Sequence, residues 1–123
     1  MKDRSKDGLS KAVEELRDVI LESYADPYFD LEKSIRSFPL HYDYLRKLFK
    51  TELGRSPLEY LTDLRMYKAR ELLSDEKRNR PIAKVAEDCG FSDALYFSRV
   101  FKKRYGCSPT QFNMGVSSSE TAE

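Results

Sequence analysis

Part of the first half of this chain recurs in the second half. Shifted by 52 residues, His41–Tyr60 (HYDYLRKLFKTELGRSPLEY) lies over Asp93–Phe112 (DALYFSRVFKKRYGCSPTQF) without a gap. Six of the twenty pairs are identical: Tyr44/Tyr96, Phe49/Phe101, Lys50/Lys102, Gly54/Gly106, Ser56/Ser108 and Pro57/Pro109. Leu45/Phe97, Lys47/Arg99, Leu48/Val100 and Tyr60/Phe112 are similar in kind. Upstream the shift becomes 51, placing Leu31 over Ile82, Lys33 over Lys84 and Leu40 over Phe91. A unit that occurs twice in 123 residues leaves little room for anything but two copies and their connections.

Each copy reads as a short helix, a tight turn and a second helix. In the second copy Ile82, Val85, Ala86 and Cys89 recur at helical spacing. Pro81 suits the first turn, where a missing N–H costs nothing. Gly90 supplies the backbone freedom for a sharp turn, and Ser92 is placed to cap the next helix. Phe97, Val100 and Phe101, with Tyr96 beside them, form the inner face of that helix, and Gly106 ends it. Ala86 is small where two helices must approach closely. This is the helix-turn-helix pattern. The first copy is looser, with Asp30 as the cap, Leu31, Ile35 and Phe38 on one face, and Leu40 expected to be buried after the turn. Leu45, Leu48 and Phe49 line its second helix, and His41 reads as a helix-start residue. Pro39 stands where the second copy has Gly90, and proline cannot take a positive φ, so the first turn must follow another path.

The connections carry their own signals. Ser56-Pro57-Leu58-Glu59 and Ser108-Pro109-Thr110-Gln111 are capping boxes with proline at the first helical position. The first opens a linking helix over about 57–74, with Leu58, Leu61, Leu64, Ala69, Leu72 and Leu73 as its apolar stripe. A leading helix over about Leu9–Tyr24 carries Val13, Leu16, Ile20 and Leu21 on one stripe. Tyr24, Tyr28, Phe29, Tyr60 and Tyr67 read as packing residues, and Asp75–Arg80 as a charged loop. The expected fold is therefore all-α: two helix-turn-helix subdomains, at about 31–53 and 81–105, joined by a long helix. They lie within a domain over 9–112, between a flexible N-terminus (1–8) and a polar tail (113–123).

Composition excludes several function classes. No apolar run approaches the ~20 residues that span a bilayer, and the N-terminus lacks a signal-peptide stretch, so the expected place is the cytoplasm, with no membrane contact. Two cysteines, Cys89 and Cys107, and the single His41 supply neither a disulfide framework nor a four-ligand zinc site. No metal or other cofactor is expected. Cys89 reads as a buried apolar filler, and Cys107 as a loop residue without chemistry. The net charge of +1 hides an asymmetry: residues 1–30 carry −3, residues 31–112 carry +6, and the tail carries −2. A basic middle is compatible with a polyanionic partner.

At this point the chain resembles the DNA-binding domain of AraC/XylS-type transcription regulators. The resemblance is carried by Ile82-Ala83, Val85-Ala86, Cys89-Gly90-Phe91-Ser92-Asp93, Tyr96-Phe97-Ser98-Arg99-Val100-Phe101-Lys102-Lys103, Gly106, Ser108-Pro109 and Phe112. Tyr60-Leu61, Leu64-Arg65, Lys68-Ala69 and Leu72-Leu73 match the linking stretch, and the match covers roughly Leu9–Phe112. It departs at Ile35, Pro39 and His41-Tyr42-Asp43. The resemblance implies two homeodomain-like units on a linking helix and sequence-specific binding of double-stranded DNA. It also implies a bacterial regulator that carries an effector-binding domain N-terminal to this one and meets RNA polymerase in its full-length form. A linking helix of about seventeen residues is ~26 Å long. With packed helices at both ends, the two recognition helices are expected about one DNA turn, ~34 Å, apart, in successive major grooves.

With Leu45, Leu48 and Phe49 inward, Tyr42, Asp43, Arg46, Lys47 and Lys50 of the first recognition helix are left for DNA. In the second, Ala94, Leu95, Ser98, Arg99 and Lys102 remain. Arg46 and Arg99, at closely similar outward positions, are the expected base readers, since arginine pairs bidentately with guanine O6 and N7. Ala94 and Leu95 suit thymine methyl groups, and Asp43 either accepts from cytosine N4 or tunes Arg46. Lys50, Lys102 and Lys103 suit phosphates. Two other classes compete. An alkylation-repair enzyme built on such a domain needs a four-cysteine zinc cluster, and two cysteines 18 positions apart do not provide it. A helical protein-interaction module does not account for basic residues at repeated outward positions. The expectation is a non-enzyme.

Overall fold

The computed structural model describes residues 8–75 and 80–113. Seven α-helices are formed among the described residues: α1 (Lys11–Ser23), α2 (Leu31–Arg36), α3 (Tyr42–Leu53), α4 (Pro57–Ser74), α5 (Ile82–Asp88), α6 (Ala94–Tyr105) and α7 (Pro109–Asn113). The fold is all-α, as the sequence predicts, with α4 in the place of the linking helix. The flexible N-terminus, the interior of the charged loop (76–79) and the tail from 114 onward are expectations that lie outside the described residues. Two compact units are present. One comprises the described residues up to Tyr24 together with Phe29–Leu64, and the other comprises Ala25–Tyr28 together with the described residues from Arg65 onward.

The first unit closes on Val13, Leu16, Ile20, Ile35, Leu45, Phe49 and Leu61, all buried, with Phe38, Leu48 and Tyr60 packed against them. Tyr60 meets Phe49 edge-on at 5.6 Å. Asp30 caps α2 by accepting from the Lys33 N–H at 3.0 Å, as expected. Ser10 donates through its backbone N–H and its hydroxyl to the Glu52 carboxylate, at 2.7 and 2.6 Å, tying the start of α1 to the end of α3. Three leucines depart from expectation. Leu21 is exposed because it follows Ile20 directly, and one residue turns a helix by about 100°. Leu58 is exposed in the first turn of α4, beside an open hollow lined also by Leu31, Ile35, Tyr42 and Arg46. Leu40 is 36 % exposed, whereas its counterpart Phe91 is only 7 % exposed. The turns explain that difference. Gly90 takes φ 102, which swings Phe91 inward, and among the described residues no non-glycine has a positive φ, so Pro39 cannot follow. In the first unit Phe38, before the proline, packs against the core.

The second unit closes on Met66, Ala69, Leu72, Leu73, Val85, Ala86, Cys89, Phe91, Phe97 and Phe101. Its centre is aromatic: Phe97 lies 5.2 Å from Phe91 and 5.9 Å from Phe101, and Phe101 meets Tyr105 at 4.7 Å and Phe112 at 5.6 Å. Asp88 pairs with Arg80 and, at 3.2 Å, with Lys84, bracing the short helix α5. Met66 is fully buried, and its spacing of three from Ala69 and seven from Leu73 puts it on the apolar stripe of α4, whose expected members omit it. Ser92 does not cap α6. Asp93 does, accepting from the N–H groups of Leu95 and Tyr96 at 2.9 and 3.2 Å. Tyr28 and Tyr67, expected to pack, are 86 % and 62 % exposed. Cys107 lies in the loop between α6 and α7, as expected, and is buried there. Burial pushes the Cys89 thiol up to about 12, so it is a neutral filler without nucleophilic character.

Both capping boxes form. The Ser56 N–H donates to Glu59 Oε1 at 2.9 Å and the Glu59 N–H to Ser56 Oγ at 3.1 Å. Ser108 and Gln111 repeat the exchange at 3.0 and 3.1 Å. Each hydroxyl satisfies an N–H that the helix cannot pair internally. Ser56→Ala is expected to lower stability by ~1 kcal/mol. The check is a lower urea midpoint at unchanged m-value. An unchanged midpoint would show that the hydroxyl is dispensable.

Candidate nucleic-acid interface

Helices α3 and α6 hold the residues expected to meet a ligand, and they occupy the same register of the repeat: residues 42–53 and 94–105, a shift of 52. Each starts on a side-chain cap. His41 Nδ1 accepts from the Asp43 N–H at 3.3 Å, and Asp93 plays that part in the second unit. Each ends on a left-handed glycine, Gly54 at φ 80 and Gly106 at φ 84. Cations occupy the last turns, Lys50 in α3 and Lys102, Lys103 and Arg104 in α6, where they complement the negative end of the helix dipole. Leu45 and Phe49 of α3, and Phe97 and Phe101 of α6, are fully buried and fix the inward faces.

The outward faces carry most of the expected contacts. Asp43, Arg46, Lys47 and Lys50 are exposed on α3, and Leu95, Arg99 and Lys102 on α6. Tyr42, Ala94 and Ser98 are half-buried instead. Tyr42 and Ala94 stand one turn from Arg46 and Ser98 at the helix starts, packed against the cores of their own units. Arg46 is not free-standing. Its Nη1 lies 3.5 Å from Asp43 Oδ1, and its guanidinium is 5.4 Å from the Tyr42 ring centre. Arg36 covers the same ring at 4.2 Å while pairing with Glu32. Asp43 thus stands beside Arg46 in the unbound protein, where the tuning role expected of it would act. The common register corrects one expectation: Arg46 lies opposite Ser98, and Arg99 opposite Lys47. The two arginines differ by one residue, or about 100° of rotation. Leu95, 73 % exposed, takes the place of Asp43, so one face is polar where the other is apolar. Tyr44 and Tyr96, each 55 % exposed, also stand on these helices; the sequence expectation omits Tyr44 and turns Tyr96 inward.

Among the described residues no group of three His, Cys, Asp or Glu is placed to hold a metal, and no helix is long and apolar enough to cross a membrane. The sequence profile of a family described as a helix-turn-helix domain matches residues 36–114, more than half of the chain. The chain belongs to the AraC-type helix-turn-helix family. Among curated relatives, the arabinose operon regulatory protein of Salmonella typhimurium is 42 % identical over 96 residues, covering 78 % of this chain and 34 % of that protein. The Escherichia coli protein of the same name is 39 % identical over 107 residues, covering 87 % and 36 %. The chain thus spans about a third of the length of these relatives. Among solved structures, the C-terminal domain of AraT, a response regulator from Geobacillus stearothermophilus, aligns with a TM-score of 0.78 at 35 % identity, covering 90 % of this chain and 88 % of that one. The DNA-binding domain of AdpA, solved in complex with a target DNA, shares the fold at a TM-score of 0.75 and 24 % identity, covering 86 % and 93 %. This AraC-type domain therefore has the two helix-turn-helix units that its internal repeat predicts.

Proposed function

We propose that this AraC-type domain binds duplex DNA sequence-specifically as the DNA-reading part of a bacterial transcription regulator, laying α3 and α6 into successive major grooves. One observation carries the reading: the second helix of each helix-turn-helix unit presents exposed cations, Arg46, Lys47 and Lys50 on α3 and Arg99 and Lys102 on α6. A helix of this width fits the major groove, where base edges carry a unique donor and acceptor code. Arg46 and Arg99 are assigned to base edges, Leu95 and Ala94 to thymine methyl groups, Asp43 to bracing Arg46 or accepting from cytosine, and Lys50 and Lys102 to phosphates. Tyr42, Lys47 and Ser98 flank these contacts. The AdpA complex, whose domain shares the fold, and the arabinose operon regulators support DNA as the ligand. The same reading makes the chain a non-enzyme acting in the cytoplasm, with RNA polymerase as a partner of the full-length regulator.

The test is binding of the chain to a duplex selected from a random pool, followed by fluorescence anisotropy across a salt series. Selection is expected to enrich one site bound about a thousandfold tighter than scrambled duplex. If about six phosphates are neutralised, log K falls against log salt with a slope near −5. A flat salt response, or a pool without enrichment, would overturn the proposal.

A further inference from the structure

The six identities of the internal repeat separate into two kinds once the structure is known. Four have a structural account in both copies. Phe49 and Phe101 are fully buried, Gly54 and Gly106 hold left-handed backbone, and Ser56 and Ser108 with Pro57 and Pro109 start helices. The remaining two, Tyr44/Tyr96 and Lys50/Lys102, are exposed in both copies, and of these the lysines also complement the helix dipole from the last turns of α3 and α6. The tyrosines are equally exposed, at 55 % each. Tyr96 makes a tilted ring contact with Phe91 at 6.0 Å, but that contact requires an aromatic ring, not a phenol.

Other exposed residues of these helices differ between the copies: Asp43 stands against Leu95 and Lys47 against Arg99, while exposed Arg46 stands against half-buried Ser98. Two units that read different bases must differ where they touch base edges. Where they touch something independent of sequence they can be the same, and in duplex DNA that component is the phosphate backbone. Helix geometry agrees. At about 100° per residue, Tyr44 lies about 60° to one side of Lys47, and Arg46 lies about 100° to the other. Tyr96 stands in the same relation to Arg99 and Ser98. A helix seated in a major groove turns its outermost residues to the base edges and its flanks to the sugar–phosphate walls.

We infer that Tyr44 and Tyr96 are equivalent backbone anchors, each donating its phenol O–H to a phosphate oxygen on the same relative side of its half-site. The inference rests on the DNA-binding reading above and assigns a role that neither charge nor motif gives. A neutral donor differs from a lysine in a measurable way: it adds a hydrogen bond to a charged acceptor without releasing a counterion of its own.

The experiment uses Tyr44→Phe and Tyr96→Phe, which keep the ring, on the selected duplex and on a scrambled one. Each variant is expected to bind both duplexes about tenfold more weakly, with the salt slope and the base-specificity profile unchanged. Lys50→Ala and Lys102→Ala serve as the contrast, since each lowers the slope by about one. A methylphosphonate scan then locates the acceptor: at one phosphate per half-site, neutralisation removes most of the difference between Tyr and Phe. Thermal unfolding of the Phe variants stays at the wild-type value, which separates lost contact from lost fold. Wild-type binding with unaltered Phe variants overturns the tyrosine assignment alone, as does a loss confined to one base position. A wild-type chain that binds neither duplex overturns it together with the DNA-binding reading.

Discussion

Phe101→Ala is expected to unfold the second unit while the first stays folded. Phe101 has no exposed surface and sits among Phe97, Tyr105 and Phe112, at ring distances of 5.9, 4.7 and 5.6 Å. Truncating such a ring removes its contacts and leaves a cavity that rigid neighbours fill only in part, at a cost of ~3–5 kcal/mol. Whole domains of this size are stable by only ~5–15 kcal/mol, and a single unit has less to lose. Among the described residues each unit has its own core side chains: Leu61 of α4 lies in the first, and Met66, Ala69, Leu72 and Leu73 lie in the second. Amide hydrogen exchange reads the outcome directly. Protection should be lost along α5 and α6 and kept along α1 and α3, and Phe49→Ala should give the mirror image. Uniform loss in either variant would mean that the units unfold as one. An unchanged thermal midpoint would mean that the inward face of α6 has been misassigned.

The elements that were legible in the sequence were written twice or written as fixed local chemistry. The register of α3 against α6 follows from the shift of 52, the capping boxes from Ser-Pro-x-Glu and Ser-Pro-x-Gln, and the different turn of the first unit from Pro39 in place of Gly90. What escaped depends on where an element ends and what covers it. Leu58 has the right periodicity but stands in the first turn of its helix, and Tyr28 and Tyr67 are large apolar rings that no core reaches. Analogy with Phe91 predicts a buried Leu40, but the proline that forbids the glycine turn also redirects the residue after it. In the candidate interface, spacing puts Leu45, Phe49, Phe97 and Phe101 inward, as the structure has them, but it turns exposed Tyr96 inward and half-buried Tyr42, Ala94 and Ser98 outward. It did not resolve that Arg46 is braced by Asp43 and Tyr42, nor that the outward tyrosines are a matched pair, because both depend on side-chain placement rather than on spacing.

Arg46→Ala and Arg99→Ala are each expected to lose ~1–3 kcal/mol of discrimination between right and wrong bases, at different positions of the site. The two positions should lie about ten base pairs apart, since α3 and α6 are proposed to enter successive grooves. The variants should not behave alike in other respects. In the proposed complex Arg46 approaches DNA with Asp43 at 3.5 Å, and a carboxylate that has lost its paired cation is repelled by the nearby phosphates. Arg46→Ala therefore leaves Asp43 unpaired and should weaken scrambled duplex as well as the selected one. Arg99 has Leu95 in the position of Asp43, so its loss should fall on discrimination alone. Restoring general affinity to the first variant by adding Asp43→Asn, with base discrimination still absent, would separate the two roles of Arg46. The deciding measurement is a base-by-base specificity profile for each variant. If Arg46→Ala leaves the profile intact while Arg99→Ala changes it, the first unit grips the backbone and only the second reads sequence. If both variants relax the same base position, the two helices do not occupy separate grooves, and the two-groove arrangement fails.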